Sequence, residues 1–471
     1  MNNHRAASSF LLRNWSFYAC TKESGRPWPR SIPQHWQVVR LKRVAQIRYG
    51  LGEPPPELSD GIPIIRATNV ERGRINEKGM MFVDPQQVPS QRDAILRQDD
   101  IIVVRSGAYT GDSALIPLEY EGAVAGYDMV VRAKTCNARF LSYTLLSLTI
   151  LHHQIDLCRL RAAQPHLNAE ELGNCLLILP TIAEQLSIVK FLNSATAKID
   201  ALIAKKQRLI ELLNEKRAAI ISHAVTKGLY PNVPMKDSGI EWLGEIPVHW
   251  KACRLKHVAE TGLKNGLFKT KDQFGRGVKL VNVVDMYRDD FLVDLENLER
   301  VEAGTDEIDA YKVRDGDIFF VRSSLKMEGV GSSALVYGVV ENTVFECHLV
   351  KASPVAKLVL PLYLVNYLNS ALVRQRLVAL AETTTMTTIA QPKLAALEVL
   401  LPPLEEQVML VEFLNEVSRN TAALVTKVRK SIQQLIEYRT ALISAAVTGK
   451  IDVRNHNLPE TEMELEQITE A

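Results

Sequence analysis

The sequence predicts a mixed α/β (α+β) protein. Two globular domains are separated by two long antiparallel helices, and a pseudo-twofold internal repeat relates the halves. Three observations predict this: a passage stated twice, a long amphipathic stretch closing each statement, and short β-type runs in between.

The repeat justifies the two halves. "KESGRPWPRSIPQHW" from Lys22 matches "KDSGIEWLGEIPVHW" from Lys236, and "RQDDIIVVRSG" from Arg97 matches "RDGDIFFVRSS" from Arg314. "LPTIAEQLSIVKFLN" from Leu179 returns as "LPPLEEQVMLVEFLN" from Leu401. Between Leu179 and Thr226, 21 of 48 aligned positions are identical, whereas Gly50 to Arg97 and Gly266 to Arg314 barely align. A common task therefore belongs to the ends of the repeat and a divergent one to its middle.

Taken in order, residues 1–21 lie outside the repeat and read as an N-terminal extension. Residues 22–180 form the first domain. "GIPIIRATNV" from Gly61 and "DIIVVRSG" from Asp100 read as strands ending in polar turns, and the apolar run from Phe140 reads as helix. Residues 181–229 form a central helical spacer. Ile199, Leu202/Ile203, Leu209/Ile210, Leu213 and Ile220/Ile221 recur at three-four spacing among Lys205, Arg208, Glu211 and Glu215. From Ala197 to Val225 that helix spans roughly 43 Å at about 1.5 Å per residue. Residues 230–402 form the second domain, with "GVKLVNVVDM" from Gly277 and "DIFFVRSS" from Asp317 as strands. Residues 403–454 repeat the spacer through Leu424, Val428, Ile432, Leu435 and Leu442, and the two stripes are expected to pack as an antiparallel coiled coil. Residues 455–471 hold five glutamates and no lysine or arginine, the composition of a solvated, disordered tail.

Composition narrows the function. At 471 residues the chain is too long for one ordinary core, and 46% hydrophobic residues with mean hydropathy near zero describe a soluble globular protein. No window approaches about 18 uncharged apolar residues. Met1 to Lys22 also lacks the pattern of a secretory signal, so no membrane and a cytoplasmic location are expected. Six cysteines without a CxxC pair point away from a zinc site and a disulfide framework; no metal is expected. A net charge of +2 says little for a chain of this size, although a nucleic-acid binder acting by bulk charge is expected to be more basic. No P-loop, GxGxxG, HExxH or Asn/Asp-Pro-Pro-aromatic run occurs, and His152 and His153 show no carboxylate at ligand spacing. No catalytic residue is assigned. Two divergent readers held by a rigid spacer suit a linear polymer with two separated recognition segments, and one turn of duplex DNA, about 34 Å, is comparable with the spacer.

The paired "LP-x-x-x-EQ" motifs, the "GIEWLGEIPVHWKACRLK" opening, "QPHLNAEEL" from Gln164 and the "ALISAAVTGKID" ending together resemble the specificity subunit of type I restriction-modification systems, over Lys22 to about Arg454. The resemblance implies that each half carries a target-recognition domain for one half of a bipartite double-stranded DNA site, and that the helices dock two methyltransferase (modification) subunits. It also implies restriction/translocase subunits. No cofactor is expected on this chain; S-adenosylmethionine, ATP and Mg2+ are expected on the partners. The competing expectation is a coiled-coil scaffold that organises protein partners without DNA contact. A stand-alone DNA-modifying enzyme lacks its motifs.

Sequence readout requires Arg or Lys for guanine and Asn or Gln for adenine, with further groups on phosphates. The basic, glycine-containing stretch Gly262 to Lys279 supplies Lys264, Lys269, Lys271, Arg276 and Lys279. Arg66 and Asn69, with Asn282 in the second half, stand at the ends of expected strands. Arg105-Ser106 and Arg322-Ser323 recur, which favours a shared role such as phosphate contact or a structural turn over base discrimination. Gln164 and His166 stand where a helix begins. Glu184, Gln185, Glu406 and Gln407 fall in the first turn of each long helix, where an acid complements the dipole; the surrounding helix is the expected docking element.

Overall fold

The computed structural model describes residues 15–89, 93–159, 165–288, 290–383 and 386–454. Packing groups the chain into two units, Met1–Gln207 with Val428–Ala471, and Arg208–Lys427. The boundary between them runs through both long helices, Ile182–Lys227 and Leu404–Val447, of 46 and 44 residues. Neither contains glycine or proline, and both carry acidic residues in the first turn. Gly228, at φ +83°, stops the first and Gly449, at φ +70°, stands just past the second, the left-handed positions that end a helix. The first helix begins well before the amphipathic stretch from Ala197. Its early turns carry a broader apolar face, with Ile188, Phe191, Leu192 and Ala195 buried in the core of the first unit, and this masks the amphipathic period.

Within the first unit, the early turns of the first helix pack against the last turns of the second through Ile199, Leu202, Leu435, Tyr438 and Leu442. Asp200 and Arg439 form an ion pair there at 3.1 Å. Within the second unit, Ile221, Ala224 and Val225 of the first helix share a core with Leu410, Val411 and Leu414 of the second. The start of each helix thus lies with the end of the other, which makes the pair antiparallel. Leu209 and Leu424, counted in the expected seam, are 44% and 48% exposed.

Both units use one framework. In the first, a four-stranded antiparallel sheet runs Ser113–Leu115, Ile101–Val103, Met129–Ala133, Ala45–Tyr49. In the second, the same order appears as Ser333–Leu335, Ile318–Val321, Leu349–Pro354, Ala259–Asn265. A smaller sheet accompanies each, with the parallel pair Val124–Ala125 and Ile62–Ile65 matched by Thr343–Phe345 and Phe274–Val281. The apolar run from Phe140 is broken into Ala138–Leu145, Leu148–Ile150 and a wide turn over Leu151–Ile155.

The repeated His-Trp and Glu-Gln dipeptides meet. Trp36 and Trp250 are fully buried, and their indole N–H groups donate to Glu184 (3.2 Å) and Glu406 (3.0 Å). His35 and His249 approach the same carboxylates at 2.9 and 2.7 Å. Burial works against the charge of Glu184, but hydrogen bonds from His35, Trp36 and Thr181 outweigh it and hold the carboxyl below the usual carboxylate range. Gln185 donates to Pro180 O and accepts from Asn137 N, while Gln407 donates to Pro402 O and Leu358 O and accepts from Leu360 N. Each tryptophan is then covered by the helix end of the other repeat. Gly449 sits over Pro33 and Trp36, and Gly228 over Pro247 and Trp250. Trp15 packs edge-on against Phe191, and Tyr18 is buried beside Trp36, so the described part of residues 1–21 belongs to the first unit. The acidic tail, 455–471, lies outside the described residues.

A Cβ at Gly449 would stand 2.4 Å from the Pro33 ring, whereas at Gly25, also left-handed, it meets nothing. Gly25→Ala is expected to cost about 1 kcal/mol, the backbone term alone, and Gly449→Ala about 1–3 kcal/mol more from overpacking. Thermal melting of the two variants side by side checks the difference.

Candidate nucleic-acid interface

Arg105 follows the central strand Ile101–Val103 and is held on both sides of its backbone. Its N–H donates to Asp128 (3.1 Å) and its carbonyl accepts from Leu167 N (2.8 Å). Ser106 bridges to His166, and Gly107 N–H donates to Pro165 O. Three residues singled out separately in the sequence, Arg105, Ser106 and His166, therefore form one site. Gln164 lies outside the described residues.

The Arg105 guanidinium lies over two tyrosine rings that the sequence did not single out, 4.0 Å from the Tyr127 ring centre and 4.7 Å from that of Tyr49. Its Nε is buried and unpartnered, and no described residue hydrogen-bonds or ion-pairs with the group. Asp128 beneath it is pushed up to about 6 by burial, against the opposing pull of the Arg105 N–H and charge. Tyr49 and Tyr127 are 78 residues apart in the chain; only the adjacency of strands Ala45–Tyr49 and Met129–Ala133 brings them together.

The second unit repeats the turn. Arg322 N–H donates to His348 O and its carbonyl accepts from Ile389 N, while Ser323 pairs with Thr388, the position that corresponds to His166. The Nε of Arg322 is likewise buried without a partner. Glu346, Cys347 and His348 offer ligand atoms within 4.8 Å of one another, a cluster missed in the sequence because its three members are consecutive. Glu346 already accepts from Val283 N, and burial, with Glu346 beside it, pushes the Cys347 thiol up, which disfavours a thiolate ligand. His152, read as lacking a carboxylate, meets Asp156 at 2.7 Å.

Most of the remaining candidates are engaged internally. Asn69 is fully buried, accepts from Arg66 N and donates to Asn76 O and Lys78 O, so its amide faces no solvent. The Arg66 guanidinium donates to Gly79 O, and Asn282 to Glu299. In the basic stretch, Lys269 pairs with Glu307 (2.8 Å), Arg276 with Glu302, and Lys279 with Glu341 (3.3 Å). Lys264 and Lys271 are exposed, with no side-chain partner among the described residues. Glu184, Gln185, Glu406 and Gln407 are buried in the joint described above, so any surface for a partner lies on neighbouring residues.

The sequence profile described as "Type I restriction modification DNA specificity domain" matches residues 33–212 and 247–434. The chain is similar to the type I restriction enzyme EcoKI specificity subunit of Escherichia coli (strain K12), 22% identical over 89% of this chain and 90% of that protein. It is also similar to the MjaVIII specificity subunit of Methanocaldococcus jannaschii, 24% identical over 90% and 95%. A chain from a solved structure concerned with complex assembly and conformational transition of a type I R-M system superposes at TM-score 0.65. It is 18% identical and covers 90% of this chain and 100% of that one, which shows the shared fold.

Asp128 gives this site a pH signature. Its folded pKa lies above the unfolded value, so its contribution to stability is complete below about pH 4 and lost as pH rises through about 6. Asp128→Asn is expected to remove that falling component from the stability of the first unit; denaturant midpoints between pH 4 and 7 check it.

Proposed function

The chain belongs to the type I restriction modification DNA specificity family, and from that premise we propose how it works as a specificity subunit with two DNA specificity domains. Each unit reads one half of an interrupted double-stranded site. The observation that carries this is the recurring Arg-Ser turn: in both units it ends the same central strand with an arginine whose guanidinium hydrogen-bonds to no described residue, while the surrounding residues differ. A shared turn supplies a common way of meeting the duplex, and divergent surroundings supply different half-sites.

The chain performs no chemistry itself. Two methyltransferase subunits dock on it and bring S-adenosylmethionine; restriction/translocase subunits bring ATP and Mg2+. The assembly works in the cytoplasm, where the DNA it reads lies. No described helix is long and apolar enough to cross a membrane. The repeat supports two equivalent docking sites. Ile182 and Leu186 are both 52% exposed at the start of the first helix, and the corresponding Leu404 and Val408 are 39% and 44% exposed at the start of the second. In the second unit Val408 borders an apolar groove of about 530 Å³ lined by Leu335, Val336, Leu360, Pro361 and Val411. Exposed apolar side chains at equal positions in two units fit two copies of one partner. A protein scaffold without DNA contact leaves the two matched domains unexplained.

An adenine-methylation map of the source strain, with and without this gene, tests the DNA role. Loss of one interrupted motif is expected; an unchanged map counts against it. For docking, Ile182→Asp with Leu186→Asp is expected to weaken one methyltransferase contact about 30-fold or more. The assembled mass should then fall from two methyltransferases to one, and adding Leu404→Asp with Val408→Asp should leave none. Retention of both copies in the fourfold variant would exclude these surfaces.

A further inference from the structure

Within that DNA-reading role, we infer that Arg105 is a base reader that takes a guanine in the half-site of the first unit, with Tyr49 and Tyr127 as its positioning residues. A phosphate can be held by a flexible lysine acting as a point charge, with no fixed plane. Arg105 is built differently. Its backbone is fixed by Asp128 on one side and Leu167 on the other, and its guanidinium carbon lies over two rings, 4.0 Å from the centre of Tyr127 and 4.7 Å from that of Tyr49. Contact with two rings restricts the orientations open to the group. Burial of Nε closes one edge, and the terminal nitrogens, which are not among the buried unpartnered atoms, form the accessible edge. What remains is an oriented pair of donors held at the end of a strand, ordered before any ligand arrives.

The acceptor that matches such a fork on a base edge is guanine, whose O6 and N7 lie side by side in the major groove. The surroundings favour a duplex surface as well: Tyr49 and Tyr127 are 38% and 48% exposed beside the arginine, Tyr109 in the loop that follows is 60% exposed, and His166 is exposed at the adjoining bridge. The second unit shows what is particular to the first. Gly50 approaches Gly126 O and Gly266 approaches Glu346 O, each too closely for any Cβ, which sets Tyr49 equivalent to Asn265. Gly50 N–H then donates to Asp128 O and Gly266 N–H to Leu349 O, so Cys347 and His348 stand where the first unit has Tyr127 alone. Neither tyrosine is repeated beside Arg322, so the assignment of an oriented base reader is confined to Arg105, although the arginine recurs. This differs from the shared role expected from recurrence alone.

The test uses the full chain assembled with its methyltransferase subunits. Adenine-methylation maps and competition binding are measured on duplexes substituted at every position of the site. With Arg105→Lys, discrimination at one G·C pair of one half-site is expected to fall from roughly 10- to 100-fold to about onefold, with the other half-site unchanged. Tyr127→Leu should weaken discrimination at that same pair to a smaller extent. A uniform loss of occupancy with discrimination intact would make Arg105 a phosphate contact and overturn the inference, as would full retention of specificity. Should the variants not assemble, the unaltered complex decides: 7-deazaguanine, which lacks the N7 acceptor, placed at each guanine in turn should weaken binding at one of them, and indifference at every guanine overturns the inference. Failure of the DNA role itself is distinguishable, because the unaltered complex would then yield no interrupted motif at all.

Discussion

Two buried indole N–H groups govern the architecture. Trp36 and Trp250 lie out of contact with water, and a buried donor without an acceptor costs about 1–3 kcal/mol. Each finds its acceptor in a glutamate of the first turn of a long helix, Glu184 or Glu406, and a histidine approaches the same carboxylate. The adjacent Gln185 and Gln407 spend their amides on the backbone that leads into the helix. These contacts fix where each helix starts relative to the opening strands of its own unit. Because the same tryptophans are covered by Gly449 and Gly228, at the ends of the opposite repeats, each unit is completed by sequence from the other half of the chain. The ends of the repeat must therefore stay alike, since each fits a joint of common shape.

The middles are freer, but a buried carboxylate in the sheet shows where freedom stops. Asp100 and Asp317 occupy the same position and accept the same kind of backbone bond, from Arg97 N and Arg314 N. Their side-chain partners differ. Asp100 receives both Nε and Nη2 of Arg132 at 2.7 Å and Arg48 at 3.0 Å, and these outweigh burial to hold it below the usual carboxylate range. Asp317 has Lys351 at 3.3 Å and the Ser353 hydroxyl. The requirement to satisfy a buried charge is preserved while its solution is not. Sheets of equal topology can in this way carry unrelated outer faces.

The repeat, the long helices and the central strands were legible in the sequence because each rests on local pattern: period, punctuation, recurrence. The meeting of His35 and Trp36 with Glu184 was not, since 148 residues separate the indole from its acceptor. Asn69 looked available at a strand end, yet its amide closes the loop that follows, a bond that polarity alone does not reveal. The stretch from Gly262 to Lys279 looked basic because its counter-charges, Glu302, Glu307 and Glu341, arrive later in the chain. The tyrosine pair around Arg105 was hidden for the same reason: neither ring has a signal of its own until two strands align.

That internal neutralisation bears on how the chain meets DNA. Non-specific affinity grows with the number of phosphates neutralised, and each contact contributes to the salt dependence of binding. With 56 lysines and arginines against 54 acids, and with Lys269, Arg276, Lys279, Arg48 and Arg132 engaged by acids of the same chain, those five cations are withdrawn from the DNA backbone. Each one withdrawn lowers the gain from arbitrary sequence, so more of the binding energy rests on groups left unpaired, among them the two arginines of the recurring turn. On the proposed function this separates the labour: partner subunits that grip the duplex supply affinity, and this chain, weak where the sequence is wrong, supplies the difference between sites. A more basic surface would raise affinity everywhere and erode that difference.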